Sequence, residues 1–202
     1  MDRTIKKYGI FLIPQADVCR EISKIKSEVA LLDSKAAYLT HPVHSTIFLF
    51  NTHFHHEVLV QYLEDHLIEL KQFEVKITGW HVFYNDILTQ KHTLTIGLVR
   101  NQILNNLQVG IADKIIQLPT EPNHYKCQWE GDYEYSYAKW GYPFVGSHWI
   151  PHITVASLEN KSDIAYIQEQ HPLEPTALLF STIALFLIDN DEHRILHSFD
   201  LK

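Results

Sequence analysis

The chain has 202 residues, 46% of them hydrophobic, with a net charge of −7 at neutral pH and only two cysteines, Cys19 and Cys127. This suits one compact or bilobal unit with a real apolar core and excludes a disulfide scaffold, so a reducing cytoplasm is the expected setting. There is no run of about 18 apolar residues for a membrane span, and no Lys/Arg stripe of the kind that long duplex nucleic acid selects.

In chain order, residues 8–13 read as a first strand and not a signal peptide, since the apolar run stops at Pro14 without a small-residue cleavage pattern. Val18, Ile22, Ile25, Val29 and Leu32 recur at helical spacing and predict an amphipathic helix over 17–32. A strand follows over 44–50. Leu59, Leu63, Leu67 and Leu70 share one face of a second helix, 57–70. Residues 73–84 and 91–99 are strand candidates joined as a hairpin across Asn85-Asp86. A third helix spans 101–118, with Leu104, Leu107, Ile111 and Ile115 inward and Asn101 as its cap. After a long aromatic segment come a strand at 150–157 and a short helix at 162–170. Two further strands, 178–188 and 194–201, flank the polar turn Asn190-Asp191-Glu192.

Two short motifs carry the chemistry: His44-Ser45-Thr46 and His152-Ile153-Thr154. Each opens an apolar strand-like run. Side chains alternate along a strand, so a His and a Thr two apart project from one face, with Ile47 or Val155 turned to the other. If the strands lie side by side, two imidazoles and two hydroxyls converge. One imidazole can then take a proton from a nucleophile while the other protonates a leaving oxygen, and the hydroxyls hold the phosphate oxygens. Pro42 and Pro151 stand just before the motifs, where proline is compatible with strand entry.

This arrangement resembles the two-histidine (2H) phosphoesterase superfamily, which includes 2′-5′ RNA ligase-like proteins and cyclic phosphodiesterases. The resemblance implies an α+β fold of two pseudo-symmetric lobes, antiparallel-rich sheets facing a central cleft with helices outside, formed by residues 1–202 as a single domain. It implies His44, Thr46, His152 and Thr154 as catalytic residues, with no cofactor and no metal. The expected partner is a nucleotide with a cyclic phosphate, a 2′-5′ oligonucleotide or an RNA end, met by a monomer. Hydrolysis and 2′-5′ ligation share a transition state, so the motifs leave both directions open, as well as a nucleotide-binding domain without catalysis. His152 is taken as base and His44 as acid, roles that pseudo-symmetry lets a reversed substrate exchange.

Other features are weaker. Tyr133, Tyr135 and Tyr137 alternate, so an extended segment would align them as a platform for a nucleobase. Tyr137, Trp140 and Trp149 are the candidate stacking residues because they lie nearer the second motif. His53-Phe54-His55-His56-Glu57 invites a metal reading, but the offsets of a metallohydrolase pattern are absent and a solvated helix start explains it. Lys91, Arg100, Lys126 and Lys139 are candidate phosphate-handling cations, each more simply a surface charge.

Overall fold

The computed structural model describes residues 4–125, 128–190 and 192–202. Lys126, Cys127 and Asp191 lie outside these residues, and with them one candidate cation and the middle of the last turn. The elements follow as β1 (Lys6–Pro14), α1 (Ala16–Leu32), β2 (Ser45–Thr52), α2 (His56–Leu67), β3 (Phe73–Phe83), β4 (His92–Leu98), α3 (Gln102–Ile115), α4 (Asp132–Trp140), β5 (His152–Leu158), α5 (Lys161–Gln170), β6 (Ala177–Asp189) and β7 (Glu192–Asp200). Asn101 caps α3 as expected, its side chain accepting a hydrogen bond from the Leu104 amide.

All strand pairs are antiparallel, along the path β2-β1-β6-β3-β4-β5 with β7 also on β6. Phe180 of β6 lies opposite both Pro14 of β1 and Phe73 of β3. Strands β3 and β7 therefore occupy the same edge of β6, end to end. The result is two half-sheets, β2-β1-β6-β7 and β5-β4-β3, sharing a short seam. The motif strands β2 and β5 stand at the two ends of this path, yet they touch each other, and α3 packs on β2 while α1 packs on β5. Each half's helix thus covers the other half's motif strand. Ala37, in the loop leading to His44, also exchanges two backbone hydrogen bonds with Ser157 of β5.

Most inward helix positions are those the periodicity marks, but Leu32, at the end of α1, is 46% exposed. Ile22, Ile25 and Val29, Leu59, Leu63 and Leu67, and Leu104, Ile111 and Ile115 pack with Tyr8, Ile10, Leu12, Phe48 and Phe50 in one core spanning both halves. Each such side chain contributes roughly 1.5–3 kcal/mol on burial. The other face of the first half-sheet carries a separate small cluster, Phe11, Ala184 and Phe186, flanked by Ile13, Leu49 and Ile188.

The two motif strands carry the same irregularity at the same place. In β2, Thr46 pairs with Phe11 and Phe48 with Ile10, leaving Ile47 as an extra residue. In β5, Thr154 pairs with Thr95 and Ala156 with Leu94, leaving Val155 extra. A bulge adds one residue to one strand and resets its alternation. Here it lets the chain bury two consecutive core residues, Ile47-Phe48 and Val155-Ala156, directly after the motif threonine. The pseudo-symmetry is visible in this register.

One expectation is corrected. The aromatic run holding Tyr133, Tyr135 and Tyr137 is not extended but forms α4, between Gly131 and a left-handed Gly141 whose amide donates to the Tyr137 carbonyl. Tyr133, Tyr137 and Trp140 are also spaced three and four apart, and the glycines at both ends favour the helical solution.

Candidate active site

Both motif histidines are set by the same local device. His44 Nδ1 lies 2.7 Å from the Pro42 carbonyl, and His152 Nδ1 lies 2.7 Å from the Ile150 carbonyl. A carbonyl only accepts, so each Nδ1 carries the proton and donates it to the residue two positions back. The Nε2 lone pair of each ring is therefore available for chemistry. Thr46 and Thr154 are half-buried, on the face of their own histidine. Among the described residues, no hydrogen bond engages either hydroxyl.

The two rings rest on different beds. His44 stacks on Phe11 at 4.0 Å between centroids and 15° between planes, with Phe186 beneath at 6.2 Å. Burial drives its pKa down to about 3, and the nearby His193, Lys26 and His41 push the same way. His152 meets Phe83 edge-on at 5.1 Å. Its pKa is also lowered, first by burial and further by the nearby His81, while the hydrogen bond to the Ile150 carbonyl and Asp86 act in the opposite direction. Around it lies a polar network. Thr93 donates to Asp86 at 2.5 Å, and the hydroxyls of Thr93 and Thr89 lie 2.9 and 2.8 Å from that of Ser157. Ser157 stands five residues beyond His152, as Leu49 stands five beyond His44. The halves share a backbone plan but not a chemistry.

Lys26 of α1 is buried at 5% exposure and donates to the carbonyls of Tyr38 and His41, both at 2.8 Å. It pins the loop that delivers His44. Lys26→Ala would orphan both carbonyls and is expected to lower unfolding free energy by about 2–4 kcal/mol, read by urea denaturation. An unchanged midpoint would remove Lys26 from this role.

The depressed imidazoles also predict acid lability. His44 at about 3 and His193 at about 4 stay neutral in the folded protein, where the unfolded chain, with imidazoles near 6.5, takes up protons. Stability is therefore full above pH 6.5 and falls as pH drops through that window, by about 1.4 kcal/mol per pH unit for each such ring. Melting temperatures at pH 7, 5.5 and 4.5 test this, and a flat profile would contradict it.

The remaining expected residues have other duties. Trp140 is 8% exposed and donates its indole N–H to Asp113, Trp149 is 5% exposed in the core, and the Tyr137 hydroxyl donates to the Asn123 carbonyl. With both tryptophans buried and Tyr137 held in α4, the aromatic platform expected there is not formed. Lys91 pairs with Glu159, Lys139 with Asp113, and Arg100 donates to the carbonyls of Gly146 and Ser147. His55, His56 and Glu57 gather at the start of α2 with ligand atoms within 4.8 Å of one another, the Glu57 carboxylate held below its usual range by the His55 hydrogen bond. Sequence reading missed Phe83 and His81, on the same face of β3 and stacked edge-on at 4.5 Å. It also missed Asp86, His41 and His193. Phe83 and His81 were two apart in a predicted strand, a legible signal. Asp86 and His41 come from a turn and a loop, and His193 from the start of β7, with no pattern to mark them.

A family model described as the 2′-5′ RNA ligase superfamily matches residues 14–194. Among solved structures, TT0787 of Thermus thermophilus is similar with a TM-score of 0.62 at 14% identity, over 96% of this chain and 97% of that one. E. coli LigT in apo form has a TM-score of 0.55 at 10% identity, over 98% and 99%. The same protein complexed with 3′-AMP has a TM-score of 0.57 at 9% identity, again over 98% and 99%. No curated protein matches. At these identities the structural likeness concerns the fold alone. No helix among the described residues is long and apolar enough to cross a membrane.

Proposed function

This chain belongs to the 2′-5′ RNA ligase superfamily, and from that premise we propose that it is a metal-independent phosphodiesterase acting on a cyclic phosphate, 2′,3′ or related, or on a 2′-5′ linkage in a nucleotide or RNA end. The carrying observation is the duplicated histidine geometry, with two Nδ1–H groups tied to the carbonyl two residues back and two Nε2 atoms left for substrate. A binding module has no need of a matched acid and base.

In this reading the phosphate sits between the two Nε2 atoms, and Thr46 and Thr154 donate to its non-bridging oxygens. The contact of β2 with β5 and the Ala37–Ser157 clip support one shared cleft. Water attacks phosphorus as one ring takes its proton. The P–O bond to the ribose breaks, and the other ring protonates the departing oxygen. The surroundings favour the reverse of the roles expected from sequence. His44, on an apolar bed among like charges, is the better neutral base. His152, with Asp86 nearby, holds a proton more readily and is the better acid. Half-buried Phe83 beside His152 offers an aromatic face for the base. LigT has been solved with 3′-AMP, ATP and NADP+, which supports a nucleotide as the ligand class.

Residues 1–202 would act as one bilobal domain and as a monomer, in the cytoplasm to which the two cysteines point. The purified protein, incubated with excess EDTA and a panel of nucleoside 2′,3′-cyclic phosphates and 2′-5′ oligomers, should turn over at least one of them at an undiminished rate. Loss of turnover with chelator would overturn the metal-free mechanism. Joining of RNA ends in place of cleavage would reverse the direction, and tight binding without turnover would leave a binding domain.

A further inference from the structure

On paired strands, residues directly opposite each other project from one face, and this lays out the cleft side of the second half-sheet. Thr154 lies opposite Thr95, and Thr95 opposite His81. His152 lies opposite Gly97, and Gly97 opposite Gly79. The glycine geometry agrees, since a Cβ on Gly97 would stand 3.6 Å from the Cβ of His81. The Thr95 hydroxyl donates to the His81 carbonyl at 3.0 Å, so beyond Thr154 this row offers the cleft the His81 ring. That ring is half-buried, edge-on to Phe83, and near enough to His152 to act on its charge. Between Ile77 and Gly79 the pairing of β3 with β4 slips, leaving Thr78 as an extra residue. A bulge of this kind re-aims a side chain, and the Thr78 hydroxyl comes to lie over Gly97, where a Cβ on that glycine would collide with it. Bare Gly97 thus admits a hydroxyl beside His152. Thr78 is exposed, and a Cβ on Gly79 would meet nothing within 4 Å, so this floor is open to a ligand. The first half differs. There the row from Thr46 runs through Phe11 to Ala184, both buried and apolar.

Two strand spacings, about 10 Å, separate the backbones of Thr154 and His81, the span of a ribose bearing its base. When a cyclic phosphate opens, the departing oxygen belongs to the ribose, so the nucleoside lies on the side of the acid. That side is the one of His152, where Thr78, His81 and Phe83 stand. We propose that His81 and Thr78 determine nucleoside specificity: Thr78 hydrogen-bonds the ribose, and His81 hydrogen-bonds the edge of a base stacked on Phe83. A neutral imidazole has one donor and one acceptor, so it discriminates among base edges that a stacking ring accepts alike. The polar groups on β3 also fix the direction in which the substrate lies, which the pseudo-symmetric motifs leave open. The assignment rests on the phosphodiesterase reading for the reaction, but not for the binding of a nucleoside monophosphate.

The test measures kcat and KM for the 2′,3′-cyclic phosphates of adenosine, guanosine, cytidine and uridine, and for the base-free methyl riboside 2′,3′-cyclic phosphate. Dividing each nucleoside's kcat/KM by that of the riboside cancels any general effect on turnover. The wild-type ratios should differ among the bases by roughly tenfold, the worth of one hydrogen bond made or left unpaired. His81→Leu, which fills similar space without a polar atom, and His81→Ala, each checked for an unchanged melting temperature, should bring them within about twofold of one another. Thr78→Val should raise KM by roughly three- to tenfold for every ester, the riboside included, at constant kcat. Wild-type ratios that agree across the bases, or a spread that survives the His81 substitutions, overturn the assignment of His81. A KM unmoved by Thr78→Val overturns that of Thr78. If no ester is turned over, the catalytic reading has failed, and the nucleoside seat is read separately by calorimetric titration of the corresponding nucleoside 3′-monophosphates. The wild type should then rank them by roughly fivefold or more in Kd, and His81→Leu should not. Equal wild-type affinities, or a ranking that His81→Leu keeps, also overturn it.

Discussion

Replacing His44 or His152 by alanine is expected to lower turnover of a nucleoside 2′,3′-cyclic phosphate by about 10²–10⁴-fold, the usual worth of a placed acid or base. The double variant should fall little further, because the pair acts as a unit. The fold should persist, since each ring is held by one local backbone bond and lies away from the continuous core. The singles become distinguishable with a nitrophenyl ester, whose leaving group departs without protonation. His152→Ala, lacking the acid, should recover most of its rate on that ester, and His44→Ala, lacking the base, should not. Equal recovery, or none in either, would show the roles to be misassigned. Unimpaired single variants would end the two-histidine mechanism.

The second large effect concerns the hydroxyls. Thr46→Val and Thr154→Val keep shape and remove one donor each, at half-buried positions on the histidine face. Donors aimed at charge that develops in the transition state are worth more there than in the bound ground state. Each substitution should therefore reduce kcat by about 10- to 1,000-fold with little change in KM. Melting temperature should hardly move, because neither hydroxyl has a protein partner to abandon among the described residues. A rise in KM at constant kcat would make the threonines binding groups only.

Much of this site could be read from the sequence because it depends on the shortest-range rule of strands. A His and a Thr two apart share a face whatever else the fold does, and burial agrees, with Ser45 and Ile153 enclosed between half-buried partners. The same rule carried further fails. Strict alternation from His44 would put Phe48 and Phe50 in the cleft, whereas the extra residue Ile47 turns both into the core and brings Leu49 to the cleft side. A bulge is fixed by the partner strand, so one strand's sequence does not announce it. The helix α4 was hidden for a different reason. Aromatic residues at positions 133, 135 and 137 satisfy a period of two, while 133, 137 and 140 satisfy the helical one, and only the flanking glycines break the tie. The groups that tune His44 were beyond reach, because Lys26, Phe186 and His193 come from α1, β6 and β7.

The shared strand β6 also sets an order of assembly. Strands β3, β4 and β5 are consecutive among the strands and pair as neighbours, β3 with β4 through a short turn and β4 with β5 across the segment that carries α3 and α4, so that half closes over shorter spans of chain. The other half does not. Lys7 of β1 must find Ile188, near the far end of the chain, and such non-local pairing is slow because the closure entropy is spent before any contact repays it. The Phe186 and His193 beneath and beside His44 arrive only with that late step. During synthesis and refolding alike, the bed of the second motif should form while that of the first is still incomplete. Activity then appears no sooner than the docking of β6.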